Sequence, residues 1–413
     1  MVKAGGPLSH LRVVDLTDKR GWLTGRILAD LGATVVKVEP PGGDPDRVDR
    51  RAVPGMPSGG QNPAWLAFNR GKKSVTVDVA RQAGRDLLMA LIRRSDVVIE
   101  SFPPGTMAAI GLGYDDLVSA NPAVVLTSIS PFGQTGPYAH WASADIVVGA
   151  MGGAVWPNGD PDRPPVRIGT DQYFLHASAE ATLHTLAAVR HAAQTGQGQH
   201  VDVAAQLAAI RTLMTAATMP CTDGSVADRC TFGQPTPRQP YRRVYRCADG
   251  YVMISPKFGP GPLGIIQWLR EAQAVPASLT DLTDEQLASP TVTEDLPWFA
   301  DELSAALEAF LATRHKSILA DEALARRLML APITNVADLV DDQHLAARGY
   351  FTEVKYEGAG VLATPWEWAK MTASPLVAAS GTVAPGADNI EVWCGRAGLA
   401  ESELARHRGT GLI

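Results

Sequence analysis

The chain has 413 residues, 46% hydrophobic and 19% charged, which allows two or three domains with sizeable cores and excludes disorder of the whole chain. A formal net charge of −6 argues against nucleic-acid binding by phosphate neutralisation, although a local basic pocket for one phosphorylated ligand is compatible with an acidic total. No run of about 18 apolar residues exists, so no membrane-spanning helix and no membrane partner are expected.

The start, MVKAGGPLSH, has no apolar core of a secretory signal. LRVVDL at 11–16 reads as a buried strand, and Leu23, Ile27, Leu28 and Leu31 follow at helical spacing, with Gly32 as a terminator. TVVKV at 34–38 is the next strand, broken by Pro40, Pro41, Gly42 and Gly43. Strands at 74–79, 96–99 and 123–130 alternate with helices at 84–94 and 115–120, the pattern of a parallel sheet with helices on its faces. Residues 175–193 form the clearest long helix, ended by TGQGQ at 195–199, and 201–214 reads as another helix.

Composition shifts near Pro220. A β-like stretch at 250–255 is followed by a helical region from 264 to about 330, and from Pro332 the chain turns back toward sheet-like composition. These shifts divide the chain into a large domain over 1–220, a small domain over 225–330, and a C-terminal part, 331–413, that returns to the large domain. Cys221, Cys230, Cys247 and Cys394 are scattered without a CxxC pair, consistent with free thiols in a reducing cytoplasm.

The phosphate loop GxxxxGK[ST], HExxH and GxSxG are absent, and the first βα turn lacks GxGxxG. A basic set, Arg26, Lys37, Arg70, Lys72 and Lys73, falls at predicted loops where an open α/β sheet binds its ligands, and it reads either as phosphate-holding or as a solvated basic loop. His176, Glu180 and His184 share one helical stripe, but with no second ligand cluster they read as a polar surface stripe, and no metal is expected. Trp366 and Trp368 flank Glu367 and read as packing on an edge strand or, less simply, as lining for an acyl pocket.

Taken together, LRVVDLTDKRGWLTGRILADLGATVVKVEPPGGDPDR (11–47), NRGKKSVTVDV (69–79), SDVVIESFPPGTMAAIGLGYDDL (95–117), NPAVVLTSISPFGQTGPYAHWASADIVVGAMGG (121–153) and TGQGQHVDVA (195–204) resemble the family III CoA-transferases, the CaiB/BaiF family. Weaker echoes at 247–254, 341–351 and 384–393 extend the likeness over nearly the whole chain. The resemblance implies an α/β fold: a Rossmann-like large domain with a parallel sheet plus a smaller α+β domain, in an interlocked dimer. It implies CoA contacts from Asn69, Arg70, Lys72, Lys73, Ser101 and Phe102, with Lys37 and Arg47 near the nucleotide. The implied substrates are an acyl-CoA and a carboxylic acid, exchanged through an aspartyl covalent intermediate.

Three departures from the family pattern bear on chemistry. Counting back without a gap from Thr195, the nucleophile position is Phe174, and the nearest acid is Asp171, which is either the nucleophile or a helix N-cap. Proline and arginine stand in TPRQPYRRVYRC, 235–247, where the family's glycine-rich loop is expected. Ala144 occupies the position of the histidine of the α-methylacyl-CoA racemase branch, which disfavours racemisation. The expected function is therefore a CoA-transferase using Asp171. The alternative is a noncatalytic CoA-binding subunit of a heteromeric family III enzyme. The partner is accordingly a second copy of the chain or a homologous subunit.

Overall fold

The computed structural model describes residues 5–48, 61–159, 162–222, 224–226, 229, 241–256, 258–357, 359–377 and 380–413. The chain divides into two compact units, one of Met1–Ala154, Ile168–Ala217 and His344–Ile413, the other of Val155–Arg167 and Thr218–Gln343.

The first unit is built on six parallel strands: β1 (Arg12–Leu16), β2 (Thr34–Glu39), β3 (Lys73–Thr76), β4 (Val97–Glu100), β5 (Val125–Ser130) and β6 (His200–Ala204). Their order is β3-β2-β1-β4-β5-β6. The connecting helices are α1 (Trp22–Asp30), α2 (Pro63–Asn69), α3 (Gln82–Ile92), α4 (Thr106–Ala109), α5 (Tyr114–Ala120), α6 (Asp145–Met151), α7 (Tyr173–Thr195) and α8 (Ala205–Arg211).

Adjacent valines in β1, β2 and β4 explain why both sheet faces are covered, because successive side chains point to opposite sides. Val13, Val35, Val97 and Val125 pack with Leu28 of α1 and Ala188 and Ala192 of α7. Val14, Val36, Val98 and Leu126 pack on the other face with Leu88, Leu91 and Ile92 of α3 and Leu117 of α5. Gly196 ends α7 with φ +74°, a left-handed conformation that favours glycine.

The helix expected at 201–214 begins as strand. His200–Ala204 pairs with Leu126–Ser130, Ala205–Arg211 is helical, and a new helix begins at Met214. The alternation His-Val-Asp-Val-Ala carried a strand period that the following alanines obscured.

Helix α9 (Met214–Thr222) follows. The second unit holds an antiparallel sheet of β7 (Val244–Cys247), β8 (Gly250–Ile254) and β9 (Leu330–Ile333). Between β8 and β9 run α10 (Gly261–Glu271), α11 (Ala277–Thr280), α12 (Asp284–Ala288), α13 (Val292–Asp295), α14 (Phe299–Leu311) and α15 (Lys316–Ala325). Its own core gathers Tyr245, Val252 and Ile254 with Trp268, Leu269, Phe299, Leu303 and Leu307.

After α16 (Gln343–Arg348), β10 (Phe351–Tyr356) and β11 (Gly360–Pro365) form a separate hairpin rather than extending the six-stranded sheet. The chain ends with a π-helical turn, Ile390–Cys394, and α17 (Glu401–Gly409). The open side of β3 is sealed by the segment before that turn: Ser74 N–H donates to Asp388 at 2.8 Å and Thr76 N–H to Asn389 at 2.9 Å. Among the described residues no helix is long and apolar enough to cross a membrane.

Candidate active site

The turn from β1 into α1 is braced by buried charge. Asp15 is fully buried and accepts bonds from Thr17 N–H at 2.9 Å and Thr17 Oγ1–H at 2.7 Å. Lys72 Nζ donates to Asp15 at 2.8 Å, to Asn69 Oδ1 at 2.8 Å and to the Trp22 carbonyl at 2.9 Å. Lys37 Nζ donates to the Thr17 carbonyl and lies 3.8 Å from Asp15. Gly25 makes room for this set, since a Cβ there would stand 2.4 Å from Asp15 Oδ2. Burial pushes Asp15 up, but Lys72, Lys37 and the hydrogen bonds outweigh it, so the carboxyl ionises below its ordinary value. Burial draws Lys72 down to about 8 against the pull of Asp15.

Strand order reverses between β1 and β4, the place where open α/β sheets bind ligands beyond the strands' C-terminal ends. There Asp18 N–H donates to Ser101 Oγ at 2.8 Å, and Ser101 Oγ–H returns to Asp18 Oδ1 at 2.9 Å. A cleft of about 330 Å³ opens at this point, lined by Thr17, Asp18, Lys37, Asp44, Ser101 and Phe102 among others. Arg47 lines a neighbouring groove of about 480 Å³. Its guanidinium grips both oxygens of Glu39 at 2.6 Å and lies 4.5 Å above the Trp65 ring.

Asp18 also borders a second cavity, of about 420 Å³, with Lys19, Arg20, Trp22, Phe68, Asp171 and Phe174 in its wall. Asp171 is exposed at its mouth, one residue before the Gln172 N-cap of α7. The carboxylate that caps α7 is the buried Asp145, which accepts from the backbone N–H groups of Gln172 at 3.0 Å, Tyr173 at 2.8 Å and Phe174 at 3.1 Å. The cap position that the sequence offered to Asp171 is thus filled from α6. Phe174 is buried with Ile129, Val148 and Ala177. Ala144, the N-cap residue of α6, lines the cavity too.

The basic stretch NRGKKS does not form a ligand-facing loop. Asn69, Arg70 and Lys72 are buried, and the charges of Arg70 and Lys72 lie beside Asp30 and Asp15. Arg70 lies 4.6 Å over Trp366, 3.6 Å from Asp30, and donates to the Pro365 carbonyl at 3.3 Å. Its Nε and Nη1 have no partner among the described residues. Lys73 pairs with Asp388 at 3.3 Å and Glu391 at 2.6 Å. Arg26 and Lys37, expected in loops, sit in α1 and β2, and Arg26 pairs with Asp30 at 2.6 Å. The reason is shared: each is buried beside a carboxylate, where an unpaired charge would be costly. Trp366 and Trp368 accordingly pack on this basic stretch, Trp368 Nε1 donating to Asp30 at 3.4 Å.

Of the residues singled out from sequence, the structure therefore brings Lys37, Ser101 and Phe102 to the cleft, Arg47 to the groove and Asp171 to the second cavity. The stripe on α7 is tied to α8, with Glu180 2.6 Å from Arg211 and 3.7 Å from His184. Among the described residues no group of three His, Cys, Asp or Glu could hold a metal ion. Residues 235–240 of the expected glycine-rich loop lie outside the described residues, and β7 begins at Val244.

Sequence reading passed over Asp18, Arg20, Asp145 and Glu100. Asp18 and Arg20 could have been noticed as charges placed directly after the first strand, where only glycines were sought. Glu100 ends β4 and accepts from Phe102 N–H at 2.6 Å. Burial raises its carboxyl to about 7 from an ordinary 4.5, against the hydrogen bonds from Ser128 and Phe102. The folded-state value lies above the unfolded one, so stability is greatest below about 4.5 and is lost as pH rises through about 7. Glu100→Gln is expected to stabilise the protein at about pH 8 by up to roughly 3 kcal/mol and to change it little at about pH 5. Urea unfolding at both values checks this, and an equal shift at both would refute it.

A family model described as CoA-transferase family III matches residues 8–388. The chain is 33% identical to succinyl-CoA:mesaconate CoA-transferase of Haloarcula hispanica over 86% of this chain and 87% of that one. It is 29% identical to the succinyl-CoA:(R)-benzylsuccinate CoA-transferase subunit BbsE of Thauera aromatica, over 89% of each. A CaiB/BaiF family protein from Brucella suis, known from its crystal structure, superposes with a TM-score of 0.80 at 28% identity, covering 95% of this chain and 99% of that one. With the Rossmann-order sheet, the cleft at its switch point and matches of this extent, the chain belongs to the family III CoA-transferases.

Proposed function

We propose that this chain transfers CoA between an acyl-CoA thioester and a free carboxylic acid with Asp171 as covalent relay. The observation that carries the reading is that the switch-point cleft and the cavity holding Asp171 share one wall residue, Asp18. A nucleotide held by Lys37, Ser101, Phe102 and the nearby Arg47 would then send its thiol arm past Asp18 toward Asp171. Both spaces fall within the usual range for ligand sites.

In this reading an Asp171 carboxylate oxygen attacks the donor thioester, the C–S bond breaks, and CoA leaves as thiolate from a mixed anhydride. The thiolate attacks the aspartyl carbonyl and expels the donor acid, leaving an aspartyl-CoA thioester. The acceptor carboxylate attacks that thioester, and the thiolate returns to the acceptor's carbonyl, restoring Asp171. Asp171 suits the role because its carboxylate is exposed in the cavity wall, within reach of an incoming thioester. Succinyl-CoA, named in both relatives above, is the first donor to test.

A second reading is supported by Phe174, which is apolar and buried where the family spacing puts the nucleophile, and by a relative that is itself a subunit. Here the chain is the CoA-binding, noncatalytic member of a heteromeric enzyme. Either way the proposed working form is a cytoplasmic dimer, with a copy of itself or with a homologous subunit.

Calorimetric titration with CoA tests the shared part of both readings. The protein should bind CoA, and Phe102→Asp, which sets a carboxylate in the cleft against the phosphates, should weaken binding about tenfold or more. A folded protein that takes up neither CoA nor acyl-CoA, alone or with a homologous subunit, would overturn both.

A further inference from the structure

Arg20 is the one guanidinium in the wall of the Asp171 cavity, and it is held unusually well for a half-buried arginine. Its Nε lies 2.9 and 3.0 Å from the two Asp18 oxygens and its Nη2 2.7 Å from Oδ2. Its backbone N–H donates to the same carboxylate at 3.0 Å. Its carbonyl is tied to α7, accepting from Ser178 Oγ at 3.2 Å. Asp18 in turn is fixed to the exit of β4 through Ser101. One edge of the guanidinium is thereby locked, while Nη1 has no bond to a described side chain or carbonyl. A fork held on one edge, with its other nitrogen open, is pre-organised to take an anion on the free side.

The surroundings say which anion. Asp18 offsets the Arg20 charge, but Lys19, exposed beside it in the same wall and in no ion pair with a described residue, leaves the Asp18–Lys19–Arg20 run net positive. Of the other two carboxylates in this wall, Asp145 is committed to three N–H groups of α7, and Asp171 is the proposed relay, so the fork of Arg20 is what the cavity offers to a further anion. Trp22, Phe68, Phe174 and Leu175 give the wall its apolar part. Asp18 lines both spaces and Arg20 is bonded to it, so Arg20 lies on the Asp18 side of the cavity. A phosphate belongs to the cleft side of Asp18, and Arg20 does not line that cleft.

Resting on the CoA-transfer reading above, we infer that Arg20, locked by Asp18 and assisted by Lys19, is the positioning residue that receives the carboxylate of the incoming acid. The acid so held has a compact aryl or alkyl body that packs against Trp22, Phe68 and Phe174. The same contact withdraws negative charge from the acceptor until it is aligned, which suits a wall that already carries the Asp18 and Asp145 carboxylates.

The test uses the full chain saturated with CoA, with 3-phenylpropionate and its uncharged amide as probes followed by ligand-observed NMR. The protein should prefer the acid by about tenfold or more, the usual scale of a charge-assisted hydrogen bond. Arg20→Gln should abolish that preference while leaving amide binding and CoA affinity within about twofold, and Arg20→Lys should restore part of it. Lys19→Gln, at an exposed position that tolerates change, should lower the preference by a smaller factor and serves if Arg20→Gln fails to fold. A brace with no ligand role would lower thermal stability and leave the acid-to-amide ratio intact. An unchanged ratio in Arg20→Gln or in Lys19→Gln, or a native protein that binds neither probe or binds both equally, overturns the inference. Loss of CoA binding in the native protein would instead overturn the reading on which it rests.

Discussion

Replacing Asp171 by asparagine is expected to lower CoA transfer from succinyl-CoA to a responsive acid roughly 10³-fold or more, the scale seen when a covalent nucleophile is removed. Asparagine keeps size and polarity but cannot form the anhydride. Because Asp145, not Asp171, caps α7, the fold should survive, with thermal unfolding shifted little. Trapping gives the positive form of the same result. Hydroxylamine added during turnover should leave an aspartyl hydroxamate on the peptide carrying Asp171, visible by mass spectrometry, and none in the Asn variant. Full activity in Asp171→Asn would transfer the nucleophile elsewhere. If transfer appears only on adding a homologous subunit and is indifferent to Asp171, the subunit reading replaces the catalytic one.

Lys72→Met should be the most damaging single change to stability outside the hydrophobic cores, costing roughly 3–5 kcal/mol by leaving a buried carboxylate short of its partner. Lys72 bonds Asp15, Asn69 and the Trp22 carbonyl, so three acceptors lose a donor together. Lys37, 3.8 Å from Asp15, softens the loss without replacing it. Adding Asp15→Asn to Lys72→Met should recover much of the deficit, because the unpaired charge goes with it. Urea unfolding of the two single variants and the double variant gives the cycle. A double variant no more stable than Lys72→Met would show that the hydrogen-bond frame, not the charge, governs this turn.

How far the sequence could be read differs between fold and site. The parallel sheet was legible because strands such as Val13–Val14 and Val35–Val36 carry apolar side chains to both faces, a pattern with few other solutions. Strand β6 was not, because five alternating residues run straight into alanines that prolong a helical appearance. In the site, Ser101 and Phe102 followed from their place after a strand. Arg70 and Lys72 misled: charge in a sequence marks where a counter-charge is needed, and whether a ligand or an inner carboxylate supplies it is decided by chain-distant partners such as Asp15 and Asp30. The cap on α7 was illegible for the same reason, since Asp145 reaches it from another helix.

The seal on β3 carries a consequence for how the molecule comes into being. Residues 388 and 389 supply acceptors to a strand made more than three hundred positions earlier. During synthesis that strand must wait with its outer amides bare until residues 388 and 389 have emerged, and a nascent chain in this condition is a target for stray β-pairing and for chaperones. Completion of the large unit thus waits on a segment made long after its sheet, and removing residues 388 and 389 would strip protection from a strand more than three hundred positions away.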